Sequence, residues 1–414
     1  MERGTARAER MPFPFNLTWE HLLCALMIIP FFEPLSFNIF VTWNWHAALF
    51  RYLADLFQLG RAGVSALCFL YVLRKLVTEK VETDLFTVLI FIHMALIPVS
   101  CIMNGSADLK IFVQIFTHLG FIIFCAVMLK HSPGFFLESC VLAFGIFSIV
   151  GCASIFLHPS GYITGEDVNT YYMLGGKNTA FPYYFCFLLS MTALTGTEKR
   201  EVPRIGWLMI IFIIGARITD SSSTTACLAL LLLIYLIARY LRPALTGLRP
   251  AVLIVILAAA VSLIYMGMMF PPFVALLSSL GRNASFTGRD TLWQQAIDYF
   301  RANPLFGSGE NLVFTLKSGD VTNHAHSQYL NRLAKYGLVP FVFLAGSLAV
   351  LTERMTSARR TLLMNLIGSC LIVYLLHMSF DDYSYNFFLL TVMIANYIAS
   401  GNSRRQYEPV IIVV

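Results

Sequence analysis

Twelve apolar runs, each long enough to cross a bilayer as one helix, divide this chain: 20–42, 54–73, 84–103, 108–129, 136–157, 179–197, 204–220, 224–241, 250–269, 336–353, 361–379 and 383–400. An α-helix needs about 20 mostly apolar residues to cover about 30 Å of hydrocarbon. With 57% hydrophobic and 13% charged residues among 414, the chain carries more apolar surface than a water-soluble core of that size hides. The fold class is therefore all-α, a polytopic membrane helix bundle of about twelve transmembrane helices. The stretch "HAALFRYLADLFQLGRAG" at the second run also reads as an interfacial helix, with Arg51, Asp55 and Arg61 among the headgroups. Residues 1–16 have neither an apolar core nor a small-residue cleavage site, and predict no cleaved signal peptide.

Lysine and arginine near a span resist translocation, so their distribution orients the bundle. With the N-terminus in the cytoplasm, eighteen of them fall on the cytoplasmic side and eleven on the other, six of those eleven in one long connection. Both termini are thereby placed inside. The net charge of +6 is mostly this bias, and no basic run with interleaved aromatics points to nucleic acid. Eight of the nine cysteines lie well within predicted spans and Cys101 nears a boundary, which predicts neither a disulfide framework nor a thiolate zinc site.

The division that follows is a membrane bundle at 1–269, an extracytoplasmic loop at 270–335, further spans at 336–400 and a cytoplasmic tail at 401–414. In the large loop, "FTGRDTLWQQAIDYFRANPLFGSGE" reads as one amphipathic helix. Thr287 caps it, Asn303 and Pro304 end it, and Gly307 and Gly309 turn the chain. Leu292, Trp293, Ala296, Ile297 and Phe300 form its apolar face, and Arg289 opens that face, where an arginine needs an anionic partner. In "HAHSQYLNRLAKYG", His326, Leu330, Leu333 and Gly337 share a stripe, with Arg332 and Lys335 pointing away. His326 is thus aimed inward at a helix N-terminus, a position that favours negative charge.

The stretch "GRDTLW...F...NPLFGSG" followed by "NHAHSQYLNRLAKYGL" resembles the external-loop region of the O-antigen ligase and O-antigen polymerase superfamily, whose members carry a comparable number of spans and one large late loop. The resemblance implies a metal-independent glycosyltransferase without cofactor, in the bacterial inner membrane, acting on its extracytoplasmic side. The implied partners are an undecaprenyl-diphosphate-linked oligosaccharide donor, a glycan or lipid-linked acceptor, the lipid bilayer and polysaccharide assembly proteins. It further implies that Arg289 engages the diphosphate and His326 serves the acceptor. Many members carry an arginine within a Ser-Arg-Thr-like motif at the start of a span. This chain has "ITDSSSTTACLAL" there, and Arg217 just upstream is the candidate substitute. "MLGGKNTAFPYY" resembles the entry to an earlier span, adding Lys177 and Asn178 as binding candidates, with His324 and Asp382 completing the set.

The chemistry asks for these types independently. A departing diphosphate gathers negative charge that fixed cations stabilise, and an acceptor hydroxyl needs a group that takes its proton, for which histidine titrates in range. Plainer readings stand beside each assignment. Arg289 pairs with Asp290, Glu310 or Asp382; Arg217 is an interface anchor; His324 is a solvated loop histidine. Asp381 and Asp382 read as a general base or ligand clamp, or as an ordinary water-facing turn, and "SSSTT" at 221–225 reads as hydrogen-bonding sugar or phosphate, or as only capping a helix from Thr224. His-x-His suits a metal, but no third and fourth ligands stand at telling spacing. A lipid-linked oligosaccharide flippase is the reading from another class. It would concentrate charge at the bilayer midplane, whereas here ionisable residues collect outside the spans. Within the superfamily, the serine-rich replacement favours a capsule, exopolysaccharide or O-antigen polymerase over a ligase that joins O-antigen to lipid A core.

Overall fold

The apolar runs fold as helices. The computed structural model describes residues 17–78, 81–165, 168–198, 205–240, 289–316, 319, 321–359, 361–401 and 410–412. The long helices are α3 (Ala47–Thr78), α4 (Leu85–Met103), α5 (Leu109–His131), α6 (Pro133–Leu157) and α12 (Leu338–Ser357), each long and apolar enough to cross a membrane. A sixth crossing is available from α1 (Trp19–Ile28) with its 3₁₀ continuation Ile29–Phe32, joined at a 57° bend to α2 (Ser36–Thr42). Shorter apolar helices are α7 (Phe181–Glu198), α8 (Ile205–Ile218), α9 (Ser222–Tyr240), α13 (Leu362–His377) and α14 (Tyr385–Gly401). The run 250–269 lies outside the described residues, so the expected twelve are matched by eleven described segments, five or six of full spanning length.

Two differences have clear causes. α3 is one helix of 32 residues rather than an interfacial piece followed by a span. At 1.5 Å per residue it is about 48 Å long, so it outreaches the hydrocarbon and carries Arg51 and Asp55 beyond it. The first span is broken because Pro30 and Pro34 flank Glu33 and interrupt the ladder. The carbonyls freed there are bonded by side chains: Asn386 Nδ2 donates to Phe31 O at 2.8 Å and Tyr183 Oη to Phe32 O at 3.2 Å. Arg61 closes the break through an ion pair to Glu33 at 3.2 Å.

Helices distant in sequence pack together: α12 along α4, α14 along α5 and α7, and α13 along α9. The core between them is largely aromatic and aliphatic, including Phe31, Phe32, Phe121, Phe144, Phe181 and Tyr374. One end of the bundle gathers β1 (Val81–Thr83), paired antiparallel with β7 (Val410–Ile412), together with an ion pair in which buried Arg354 meets half-buried Asp84 at 3.2 Å. The opposite end gathers the connections α4–α5, α6–α7, α8–α9 and α13–α14. The antiparallel sheet of β2 (Ile163–Gly165), β3 (Val168–Tyr172) and β4 (Gly175–Gly176) lies in the second of these.

The same end carries α10 (Arg289–Ala302) and α11 (Gln328–Tyr336), with the pair β5 (Phe314–Thr315) and β6 (Val321–Thr322) between them. α10 buries Leu292, Trp293 and Ala296, as its apolar periodicity predicts; its expected cap Thr287 lies outside the described residues. The turn after α10 docks backbone against backbone. Ser308 N donates to Ala334 O at 2.8 Å and Gly309 N to Lys335 O at 3.0 Å. A Cβ on Gly307, whose φ is +70°, would collide with the Lys335 carbonyl, so glycine is required there.

Candidate functional site

The site is built around a buried carboxylate in the short connection from α13 to α14. Phe380 N and Asp381 N both donate to His377 O, at 3.0 and 3.2 Å, which carries the helical turn one step past α13 and directs Asp381 inward. Asp381 is 4% exposed. Its Oδ1 accepts from Arg289 Nη2 at 3.2 Å and from Asn178 Nδ2 at 3.3 Å, and His326 Nδ1 lies 3.9 Å away. Its Oδ2 accepts from Ser223 Oγ at 3.2 Å. Four separate elements therefore converge on one acid. Burial alone pushes the Asp381 carboxyl up, but the nearby His326 and the Arg289 guanidinium outweigh it and hold the group at about 2.

Each partner is positioned by its own local structure. Arg289 is the first residue of α10 and its side chain is only 17% exposed. Asn178 ends the α6–α7 connection; Ser221 Oγ donates to its Oδ1 at 2.6 Å and Tyr383 Oη to its carbonyl at 3.1 Å. Serines of the "SSSTT" run thus bond the site as well as open α9, which begins at Ser222 rather than Thr224.

His326 stands one residue before the helix, because Ser327 is the N-cap of α11, its Oγ accepting from Leu330 N at 3.5 Å. Its φ of +49° is left-handed, a conformation that costs free energy in a non-glycine residue and persists where the surroundings impose it. His324 is half-buried, its ring centroid 4.3 Å from that of His326 and its Nδ1 2.9 Å from Thr322 Oγ1. Burial, with the nearby His326, pulls its pKa down to about 4, so it is neutral at physiological pH.

The stripe expected for α11 is overturned. Its buried residues are Gln328, Asn331, Ala334 and Lys335, while Leu330 and Leu333 are half-buried. Neither Arg332 nor Lys335 points away. The Arg332 guanidinium lies 3.5 Å from the centroid of the Tyr385 ring, and Lys335 Nζ pairs with Glu310 Oε1 at 3.1 Å. The polar face is inward because its partners are acids of the surrounding loops. Asn331 Nδ2 donates to Asp382 Oδ2 at 2.6 Å, and Tyr336 Oη bonds Glu310.

Of the residues singled out in the sequence, Arg289, His326 and Asn178 meet at Asp381, with His324 against His326. Asp382 turns to α11 instead, where burial raises its carboxyl against the opposing pull of Arg332 and Lys335. Lys177 is exposed, as is Arg217 in the last turn of α8, and no hydrogen bond or ion pair among the described residues ties either to Asp381. The plainer pairings of Arg289 with Glu310 or Asp382 are not the ones found. Asp381 is weighed with Asp382 in the sequence but left out of the binding set in favour of its neighbour, and His377 is not singled out there. The His377 ring stacks on Phe181 at 3.8 Å and 8°, and neither of its nitrogens has a hydrogen-bond partner among the described residues.

Fold and site together define a polytopic helical membrane protein with a charged centre at one end of its bundle. Residues 207–345 match the family model described as O-Antigen ligase. The match spans about a third of the chain and supports its resemblance to the O-antigen ligase and polymerase superfamily. The matched region contains Arg217, Arg289, His324 and His326, but not Asn178 or Asp381. No curated protein matches the chain.

Proposed function

We propose that the protein transfers glycan from an undecaprenyl-diphosphate-linked donor to a sugar acceptor at the extracytoplasmic face of the bacterial inner membrane, polymerising repeat units of a capsule, exopolysaccharide or O-antigen. The observation that supports it most is the convergence of Arg289 and His326 on Asp381. The acceptor hydroxyl oxygen attacks the anomeric carbon as the bond from that carbon to the diphosphate breaks. His326, held with Nδ1 toward Asp381, takes the hydroxyl proton on Nε2, and Asp381 stabilises the resulting imidazolium. The diphosphate leaves with the electron pair, and Arg289 supplies positive charge to it without a metal. Ligation to lipid A core is the second reading, favoured by the description of the matched family. The two differ in acceptor, not in these steps.

The test uses purified protein in nanodiscs with excess EDTA, measuring binding of the lipid-linked donor beside turnover. His326→Ala should bind donor as the parent does and lose about 10² to 10⁴ in turnover, the usual worth of positioned acid-base help. Arg289→Ala should weaken donor binding by about 10- to 100-fold, as a lost charge-assisted hydrogen bond does. Normal turnover by His326→Ala, parental donor binding by Arg289→Ala, or activity that returns only with Mg²⁺ would each refute the assignment.

A further inference from the structure

A cavity of about 330 Å³ lies between the head of α5 and the segment that carries β5 and β6. It contains two carboxylates, Asp108 and Glu310, and both are already fixed. Asp108 caps α5, accepting from Ile111 N at 2.9 Å. Glu310 is gripped by Lys335 at 3.1 Å and by the Tyr336 hydroxyl, and its own N–H donates to Ser106 Oγ at 3.1 Å. A carboxylate offers about four lone-pair directions, so each retains acceptor capacity in a set orientation. Exposed amides stand beside them in Gln114, Asn311 and Asn323, over a floor of buried Ile111 and Leu312.

We propose that this cavity is a saccharide seat that holds sugars remote from the reacting end. The inference rests on the transferase reading. Immobilised acceptors and amide donors above an aliphatic floor suit a pyranose, whose rim of hydroxyls both donates and accepts while its C–H face is apolar. The two acids disfavour an anionic phosphate here. A divalent cation is disfavoured as well, because Lys110 lines the same space and both acids already have partners. The location fits an oligosaccharide that runs from the reacting centre. Asn323 lies three residues from His326, a stretch of chain that spans at most about 10 Å. A glycan with one end at His326 passes His324 to reach the cavity. The sugars belong either to the acceptor or to the donor, and their recognition chemistry is the same.

The experiment uses full-length protein in nanodiscs and oligosaccharides of one, two and three repeat units, released from the surface polysaccharide of the cell that makes the protein. The variant is Gln114→Ala with Asn311→Ala, both at exposed positions, checked by size-exclusion chromatography. Direct binding of the free three-unit oligosaccharide should weaken by about 10- to 100-fold for two lost hydrogen bonds, while the one-unit fragment is less affected. In turnover, KM should rise for the partner whose sugars occupy the seat and kcat should hold. A rise for long acceptors alone assigns the acceptor glycan, and a rise for the donor alone assigns the donor glycan. Parental binding and parental KM for both partners would overturn the seat. Turnover of the parent measured alongside keeps the two ideas apart: if the parent transfers no glycan the transferase reading fails, while direct oligosaccharide binding still decides the cavity.

Discussion

Replacing Arg289 by alanine strips a buried carboxylate of its closest cation, and the structure sets the size of the effect. The fall of the Asp381 carboxyl from 3.8 to about 2 corresponds to about 2 kcal/mol of favourable interaction, net of burial. Removing one partner of a buried pair costs about 3 to 5 kcal/mol at full burial. Arg289 keeps 17% of its side chain exposed, and Asn178 and Ser223 still bond Asp381, so the expected loss is about 2 to 3 kcal/mol. Asp381→Asn in the same chain should recover much of it, because no charge is then stranded. A double-mutant cycle of unfolding free energies in mixed micelles measures the coupling, which should be about 1.5 to 2 kcal/mol. The pH dependence has a definite sign. In the parent the depressed Asp381 contributes stability above about pH 4, lost only as pH falls through about 2. In Arg289→Ala the carboxyl rises, so protonation relieves the variant and its deficit should narrow between pH 7 and pH 4. Additive single mutants, or a deficit equal at both pH values, would refute the account of the pair.

Two further outcomes are expected. A cysteine at Asn311, exposed beside β5, should react with a membrane-impermeant thiol reagent in intact cells; labelling only after permeabilisation would invert the proposed orientation. His377→Phe keeps the stack on Phe181 and removes two buried nitrogens that have no hydrogen-bond partner among the described residues, so thermal unfolding should show a gain of about 1 to 2 kcal/mol. A loss of stability would mean that the imidazole has a polar partner in the folded protein.

Much of the bundle was legible in hydropathy, because a span must be apolar for about the thickness of the bilayer and little else ends it. The runs 84–103 and 383–400 differ by one or two residues from α4 and α14. Hydropathy failed at α3, where Arg51, Asp55 and Arg61 interrupt the apolar pattern without ending a helix that they are able to continue. It failed again at the face of α11, since amphipathicity identifies the side that avoids water and assumes an apolar neighbour. The neighbours of α11 are acids, and the helix turns Asn331 and Lys335 toward them. The choice between Asp381 and Asp382 was out of reach for a different reason. Adjacent carboxylates are chemically identical, and the backbone turn after His377 decides which faces Arg289.

That turn divides the labour of two neighbouring acids. Asp381 meets the groups proposed to react, whereas Asp382 receives Asn331 and so anchors the helix that His326 precedes. Gln328 N donates to Met378 O at 2.9 Å and Tyr329 Oη to Leu375 O at 2.9 Å, fastening the same helix to the end of α13. Lys335 and Tyr336 hold its far end through Glu310. His326 is consequently located by bonds along the whole of α11, and its left-handed φ is imposed by that anchoring rather than by local preference. The acid that Asn331 holds is next in sequence to the acid facing Arg289, so α11 and the Asp381 centre are tied to the same short connection. The placing of His326 and Asp381 thus rests mostly on side chains that take no part in the proposed transfer.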